Sequence, residues 1–217
     1  MSGGGESVSD PAPITVDADW CLTPSEARDA SPLTRGDNAG MRIIAGEKRG
    51  AKIFAPKGHD TRPTSDRARE AAFNLIGPVD GASVLDLFAG SGAYGLEALS
   101  RGAASAVFAE ADPAACEAIR RNLEKLGLNA ATVLCRDAIQ VLAEEVAAGR
   151  RYDLVLADPP YRMFSSVQTG LATYLPRVLA GDGLVVVETH AKEQPELPLV
   201  VRTSRRYGSA RLTLFEP

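Results

Sequence analysis

Four consecutive residues, Asp158, Pro159, Pro160 and Tyr161, combine groups that could act on an amino group. They follow the apolar run 152–157, which predicts a buried parallel strand that the prolines end. Open α/β sheets bind ligands at the carboxyl ends of their strands. There the Asp158 carboxylate and the Pro159 carbonyl could accept the two N–H bonds of an aromatic amino group, while Tyr161 stacks on the ring. Without a second site beside it, an ordinary strand-ending turn is an alternative to this interpretation of the motif.

A glycine turn supplies a candidate for that second site. Gly90, Gly92 and Gly95 follow a predicted strand at 83–88 and fit the pattern G-x-G-x-x-G, and Glu110 ends the next predicted strand. Strand, glycine turn and helix bring a ligand against backbone N–H groups, and the acid accepts from a ribose. The pattern alone fits a nicotinamide dinucleotide as well as S-adenosylmethionine.

Asp86 favours S-adenosylmethionine as the cofactor. Its carboxylate lies in the strand just before the glycine turn, where it would repel a pyrophosphate but attract the ammonium of a methionine moiety. Only 27 residues follow His190, too few for the separate catalytic domain of a dehydrogenase. Asp137, after a third predicted strand, would accept from the adenine amino group, or else cap the following helix.

The elements that must position these residues alternate between strand and helix, which predicts a doubly wound, mostly parallel sheet. Helices are predicted at about 96–102, 113–126 and 138–148, and at 169–179 with a break near Pro176. The predicted strands are 83–88, 106–110, 132–135, 152–157, 183–188 and an antiparallel pair, 200–204 and 211–215.

The amino-terminal part divides by charge. Residues 1–40 carry seven acidic and two basic side chains, a net charge of −5, and their composition predicts a flexible extension. Residues 41–69 carry eight basic and three acidic side chains, a net charge of +5, so a polyanion would bind there. We predict a basic hairpin and helix at 41–80, with strands 42–45 and 51–55 and a helix capped by Thr64 or Ser65, followed by a catalytic domain at 81–217.

Composition also bears on metal binding, membrane insertion and cellular location. The three cysteines form no C-x-x-C pair, so we expect free thiols in a reducing compartment and no metal site. No apolar run approaches the roughly 20 residues of a membrane span, and the amino terminus lacks a leader pattern. We therefore expect a cytoplasmic, monomeric protein.

From Met41 onward the chain resembles the RsmD family of bacterial methyltransferases, which modify the 2-amino group of one guanine in small-subunit (16S) ribosomal RNA. The resemblance rests on residues 42–46, 61–74, 84–92 and 158–161. It implies a class I, Rossmann-like methyltransferase with a seven-stranded sheet that uses S-adenosylmethionine. It implies catalytic roles for Asp158, Pro159, Pro160 and Tyr161, cofactor contacts from Asp86, Phe88, Gly90, Ser91, Gly92, Glu110, Asp137 and Asp158, and RNA contacts from Arg42, Lys48, Arg49, Arg62, Thr64 and Arg67.

Two other functions fit the same residues. The chain could methylate another amino group, such as that of adenine or cytosine in DNA or of glutamine in protein, although no segment is large enough for a DNA target-recognition domain. It could also be a non-catalytic RNA-binding assembly factor, against which the presence of Asp86, Glu110 and Asp158 argues. The absence of a recognition domain predicts an assembled or partly assembled small subunit as substrate, with the guanine in an exposed loop.

Overall fold

The computed structural model describes residues 41–55 and 66–217, which build one sheet with helices on both faces. The helices are α1 (Asp66–Ile76), α2 (Ala93–Ser100), α3 (Pro113–Leu126), α4 (Ala138–Ala147) and α5 (Phe164–Val178). The strands are β1 (Ser83–Leu87), β2 (Ser105–Ala109), β3 (Ala131–Leu134), β4 (Tyr152–Ala157), β5 (Leu179–His190), β6 (Val200–Tyr207) and β7 (Ala210–Glu216).

The seven strands lie in the order β3-β2-β1-β4-β5-β7-β6. Strands β1 to β5 are parallel, and β7 pairs antiparallel with β5 and β6. The chain moves outward from β1 to β3 and then returns to the other side of β1 as β4. This reversal makes the carboxyl ends of β1 and β4 the switch point where such sheets bind ligands. The predicted mostly parallel, seven-stranded fold is confirmed.

Alternating side chains along each strand fill two separate cores. In β4, Leu154 and Leu156 pack with α2 and α3, whereas Val155 and Ala157 pack with α4 and α5. The central strands are apolar on both faces because both faces are covered. A side chain near the end of β1, β4 or β5 can therefore be assigned to a face from its position in this alternation.

The predicted hairpin strands at 42–45 and 51–55 are wrong in extent. The two arms share a single antiparallel bridge, Arg42 with Lys52, in which the Ile43 amide donates to the Ala51 carbonyl at 2.9 Å and the Ile53 amide to the Met41 carbonyl at 3.1 Å. The ladder stops because a helix side chain takes the next donors: the Glu97 carboxylate of α2 accepts from the amides of Ile44 at 2.7 Å and Ala45 at 2.9 Å. The segment is a turn docked on α2 rather than a free hairpin.

A buried asparagine fixes the other arm of this segment. The Asn122 side chain, on α3, accepts from the Phe54 amide at 2.7 Å and donates to the Phe54 carbonyl at 2.9 Å. It also donates to the Ser91 carbonyl of the glycine turn at 3.1 Å. The segment and the glycine turn therefore share one anchor. Since the amide of Asn122 is fully buried, these bonds satisfy groups that water cannot reach.

The expectation of free thiols is wrong for two of the three cysteines. Cys116 and Cys135 form a disulfide with a Cα–Cα distance of 5.9 Å. Cys116 lies in the first turn of α3 and Cys135 directly follows β3. Because β2 and β3 are neighbours in the sheet, the helix that follows β2 begins beside the end of β3. The 19-residue separation in sequence gives no sign of this contact.

The helix around Pro176 is also longer than predicted. The chain is helical from Phe164 to Val178, and Pro176 lies in the last turn of this helix. Because only two helical residues follow Pro176, its missing N–H group and its ring cost little helix.

Among residues 41–55 and 66–217, no helix is long and apolar enough to cross a membrane. In the same part of the chain, no three His, Cys, Asp or Glu side chains are grouped so as to hold a metal ion.

Several predictions fall outside the described part of the chain. The extension at 1–40, Arg62, and the cap at Thr64 or Ser65 are among them. The division of the chain near residues 40 and 80 stays a prediction. Within the described residues, Ile43, Ile53 and Phe73 belong to the same core as the sheet.

Candidate active site

Parallel register brings three strand ends into one row. Leu87, Ala157 and Val187 pair across β1, β4 and β5, so the residues that follow them, Phe88, Asp158 and Glu188, are neighbours at the carboxyl edge. Alternation directs Asp158 and Glu188, with Asp86 two residues back, toward the face that α2 and α3 cover. Carboxylates from three adjacent strands therefore meet under the start of α2.

Asp86 is the most buried of the three acids, with 3 % of its surface exposed. Its Oδ2 accepts from the Gly95 amide of α2 at 2.9 Å. Burial raises the pKa of Asp86 well above its usual range, the Gly95 amide opposes this rise, and the charges of Asp158 and Glu110 add to it. Asp158 and Glu110 are therefore close enough to Asp86 for their charges to repel its carboxylate. A cationic ligand bound among them would offset both this repulsion and the free-energy cost of burying the Asp86 carboxylate.

The glycine turn that follows β1 has positive φ angles at three residues, a backbone conformation that glycine adopts most easily. Phe88, Gly90 and Gly92 have φ angles of 57°, 55° and 76°, in the left-handed region. Glu110 ties this turn to the end of β2, because its Oε2 accepts from the Gly90 amide at 2.7 Å and its Oε1 from the Asp112 amide at 2.8 Å. The side chain expected to hold a ribose is therefore already positioned by two backbone donors.

The helix after the turn packs too closely on β2 for a larger residue. A Cβ at Gly95 would stand 2.4 Å from Phe108, whereas one at Gly90 would meet nothing within 4 Å. Glu110 accepts from the Gly90 amide, and the Asp86 carboxylate accepts from Gly95 at the other end of the same turn. An open space beside a buried carboxylate and a second acid fits the ammonium and hydroxyl groups of S-adenosylmethionine, so the residues present suit that cofactor.

Two other predicted cofactor contacts have structural partners. The Ser91 hydroxyl donates to the sulfur of Met41 at 3.2 Å, which places it against the amino-terminal segment. Asp137 is the N-cap of α4, where its Oδ1 accepts from the amides of Ile139 at 2.9 Å and Gln140 at 3.1 Å. The capping alternative is present, and contact with adenine stays a prediction.

The Asp158–Tyr161 motif is an extended strand end that turns into α5. Asp158 is half-buried, Pro159 buried and Pro160 exposed. The Pro160 carbonyl accepts from the Met163 amide at 2.7 Å, and the Tyr161 carbonyl from the Phe164 amide at 3.4 Å, so both begin the helix. The Pro159 carbonyl takes no part in these turn bonds, which suits the acceptor role predicted for it.

Sequence reasoning missed three residues of this site: Tyr94, Glu188 and His190. The Tyr94 hydroxyl donates to Glu188 Oε2 at 2.9 Å, and both side chains are buried. The His190 ring meets the Tyr161 ring edge-on, with 5.5 Å between centroids and 80° between planes. The available signal was the acid that interrupts the apolar run at the end of β5, because a carboxylate in a buried strand needs a partner.

Burial and the nearby negative charge of Asp158 both raise the pKa of Glu188. Burial raises its pKa to about 8, and the charge of Asp158 contributes to the same rise, while the Tyr94 hydrogen bond opposes it. Burial and the neighbouring Glu188 likewise raise the pKa of Tyr94, so its hydroxyl stays a donor. The carboxyl ends of β4 and β5 therefore hold two acids whose charges repel each other.

Comparison with known proteins identifies the family. A family model described as conserved hypothetical protein 95 matches residues 41–216. The ribosomal RNA small subunit methyltransferase D of Escherichia coli K12 is 40 % identical over 153 residues, covering 70 % of this chain and 76 % of that protein. This chain belongs to the RsmD family. YlbH of Bacillus subtilis 168, a candidate rRNA methyltransferase by name, is 37 % identical over 185 residues, covering 81 % of this chain and 98 % of that protein.

Solved structures agree with this RsmD assignment. The structure of YhhF from Escherichia coli, titled as a candidate methyltransferase, has a TM-score of 0.71 and 36 % identity, covering 80 % of this chain and 96 % of that one. A hypothetical protein of Thermus thermophilus has a TM-score of 0.70 and 34 % identity, covering 81 % of this chain and 99 % of that one. The fold is that of S-adenosylmethionine-dependent methyltransferases, as the RsmD resemblance implied.

The basic surface of this RsmD-family chain is smaller than its sequence suggests. Arg42, Arg49 and Arg67 are exposed, although Arg42 Nε lies 3.3 Å from Asp66 Oδ2. Lys48 Nζ lies 2.8 Å from Glu47 Oε1. Arg69 is fully buried, with Nη2 3.0 Å from Asp66 Oδ1, so it contributes nothing to a surface for RNA.

Proposed function

We propose that this protein transfers a methyl group from S-adenosylmethionine to the exocyclic 2-amino group of a guanine in small-subunit ribosomal RNA. The observation that carries the proposal is the row of acids at the switch point, where the Asp158 motif ends β4 next to the glycine turn that follows β1. The relatives named as small-subunit rRNA methyltransferases support ribosomal RNA as the substrate class.

The residues of the site divide into two halves. Asp86 and Glu110 lie around the glycine turn and would hold the ammonium and ribose hydroxyls of S-adenosylmethionine, which supplies an electrophilic methyl group when bound. Asp158 and the Pro159 carbonyl face the acceptor. In the ground state the lone pair of this nitrogen is delocalised into the base. Asp158 and the Pro159 carbonyl accept hydrogen bonds from the two N–H groups as the nitrogen becomes tetrahedral, and this stabilises the geometry in which the lone pair can attack the methyl group.

The acceptor half also needs a surface for the flat base, and Tyr161 provides it. The Tyr161 ring lies edge-on to the ring of His190, and this contact restricts its orientation. Because the methyl acceptor must lie in line with the reacting bond, a fixed ring contributes through orientation rather than through acid or base chemistry.

Product mapping tests the proposal. The purified protein is incubated with radiolabelled S-adenosylmethionine and small-subunit particles from a strain that lacks its own enzyme, and the labelled nucleoside is identified by digestion and mass spectrometry. We expect label in 2-methylguanosine. Label in another base or in protein glutamine, or no label, would contradict the proposal. Naked small-subunit RNA, run in parallel, tests whether an assembled particle is required.

Substituting Tyr161 tests the stacking surface. Base stacking on an aromatic side chain contributes about 1–3 kcal/mol, so Tyr161→Ala should lower kcat/KM for the particle by about 5- to 150-fold. Tyr161→Phe keeps the ring and should retain most activity, and His190→Ala should have an intermediate effect because it frees the ring. Equal loss in the Phe and Ala variants would mean that the hydroxyl, not the ring, matters.

Salt dependence tests the predicted RNA-facing residues. Each arginine that contacts a phosphate contributes about one unit to the slope of log affinity against log salt. Arg49→Ala with Arg67→Ala should therefore reduce that slope for particle binding by about two. Arg177→Ala is the matched control, since Arg177 is exposed on α5, on the opposite side of the sheet. An unchanged slope would remove Arg49 and Arg67 from the interface.

We also infer that the protein works as a monomer in the cytoplasm. The proposed substrate is assembled there, and the site described above is built from one chain. Analytical ultracentrifugation of the purified protein, alone and with S-adenosylmethionine, checks the oligomeric state.

A further inference from the structure

Glu188 is a buried acid to which the mechanism above gives no task. It is 6 % exposed, and the one hydrogen bond that its side chain makes with another described residue joins Oε2 to the hydroxyl of Tyr94. It ends the apolar part of β5, directly beside Asp158 in the register of β4 and β5. A carboxylate held next to another carboxylate away from water is costly unless a donor binds there.

Among residues 41–55 and 66–217, Tyr94 is the one residue whose side chain donates a hydrogen bond to Glu188. From β4 it faces Asp158, from α2 it faces Tyr94, and its register partner on β7 is the apolar Leu212. Arg69 of α1 acts electrostatically on Tyr94 and forms ion pairs with Asp66 and Glu97, but it makes no hydrogen bond with Glu188. Oε1 of Glu188 thus accepts from no residue in the described part of the chain, and a ligand that enters beside Asp158 can donate to it.

The base that the proposed function places there carries the matching donor. In guanine the N1–H group is adjacent to the 2-amino group on the same edge of the ring. Adenine, and any purine with an unprotonated N1, presents a lone pair at that position, which a carboxylate repels. Two acids side by side thus match the adjacent N1–H and N2–H donors of guanine.

We propose that Glu188 accepts the N1–H of the target guanine while Asp158 accepts from its 2-amino group, and that Tyr94 holds the Glu188 carboxylate in place. This inference rests on the proposed guanine function and deepens it, because it assigns base selection to β5. Asp158 holds the reacting group, and Glu188 identifies the base that carries it.

The test compares Glu188→Gln, Tyr94→Phe and the exposed control Glu196→Gln with the wild-type enzyme. Glutamine can still accept from Tyr94, so the fold is expected to survive, and thermal unfolding and S-adenosylmethionine affinity should match the wild type. With small-subunit particles, Glu188→Gln should lower kcat/KM by about 10- to 100-fold, because a charge-assisted hydrogen bond becomes a neutral one.

A pH profile distinguishes recognition from a structural role. Glu188 must be ionised to accept N1–H with a full charge, so wild-type kcat/KM should rise as pH increases through about 8. Glu188→Gln should remove this rise. Tyr94→Phe should move it to higher pH, since the Tyr94 hydrogen bond lowers the pKa of Glu188. Glu196→Gln should behave as the wild type.

Base substitution gives a readout independent of the rate of the normal reaction. At the mapped position, 2,6-diaminopurine keeps the 2-amino group but lacks N1–H. The wild type should bind and methylate particles carrying it at least tenfold less efficiently than particles with guanine, and Glu188→Gln should narrow that preference, because its amide can donate as well as accept.

Two results would overturn the inference. One is a Glu188→Gln enzyme equal to the wild type in rate, pH profile and base preference. The other is a loss of rate with an unchanged pH profile and base preference, which would make Glu188 structural. A wild-type enzyme that does not methylate guanine in particles would instead overturn the proposed function, and that outcome is recognised before any variant is made.

Discussion

Replacing Asp158 with alanine is expected to lower the rate of methyl transfer by about 10²- to 10³-fold, the range found when one group that stabilises a transition state is removed. The reason is that Asp158, in the role proposed above, supplies a charged acceptor for the amino group, which the Pro159 carbonyl cannot replace. Asp158→Asn keeps one acceptor oxygen and should retain more activity than alanine. Single-turnover transfer of radiolabel to small-subunit particles measures the chemical step separately from product release.

Binding measurements complete this prediction. Particle affinity should survive in both Asp158 variants because the basic segment is untouched. Affinity for S-adenosylmethionine is measured by calorimetry, since Asp158 is also a predicted cofactor contact. Asp182→Ala is the matched control: Asp182 is an exposed aspartate on β5, near the amino-terminal end of that strand. Undiminished transfer by Asp158→Ala would remove Asp158 from the reaction.

Replacing Glu97 with alanine should lower the free energy of unfolding by about 3–5 kcal/mol, the usual cost of removing one partner of a buried ion pair. Glu97 and Arg69 are both fully buried, with Arg69 Nε 3.7 Å from Glu97 Oε2. Glu97 also accepts from Ile44, Ala45 and Arg101. The substitution would remove a counter-charge from the buried Arg69 guanidinium and leave the amides of Ile44 and Ala45 without their acceptor.

Urea unfolding followed by circular dichroism measures this effect. Glu117→Ala is the matched control, because Glu117 is an exposed glutamate on α3 and should change stability by less than about 0.5 kcal/mol. Glu97→Gln keeps an acceptor and should be less harmful than alanine. A change within the range of the control would show that the amino-terminal segment is held mainly by Ile43 and Ile53.

The residues that sequence predicted well are those whose surroundings are local. The apolar run 152–157 followed by two prolines predicts a buried strand and its end, and the structure has β4 at Tyr152–Ala157. Glu110 stands at a fixed distance from the glycine turn because one helix and one strand separate them. Such features depend on periodicity and on turn chemistry, which a single chain displays directly.

The predictions that failed depend on residues distant in sequence. The hairpin ladder stops because Glu97, more than 50 positions away, accepts the amides of Ile44 and Ala45. The Cys116–Cys135 disulfide follows from the adjacency of β2 and β3. Glu188 becomes part of the site only when β5 lies beside β4, which the order of strands decides and no local pattern displays.

The anchoring of residues 41–55 has a consequence for the entropy of RNA binding. This segment has no sheet of its own, and its order comes from Glu97 on α2 and Asn122 on α3. A loop that becomes ordered only when it meets RNA would lose conformational freedom at that moment and bind more weakly. Here the loss of conformational freedom occurs during folding, so the described part of the predicted RNA-facing surface is ordered before any substrate binds.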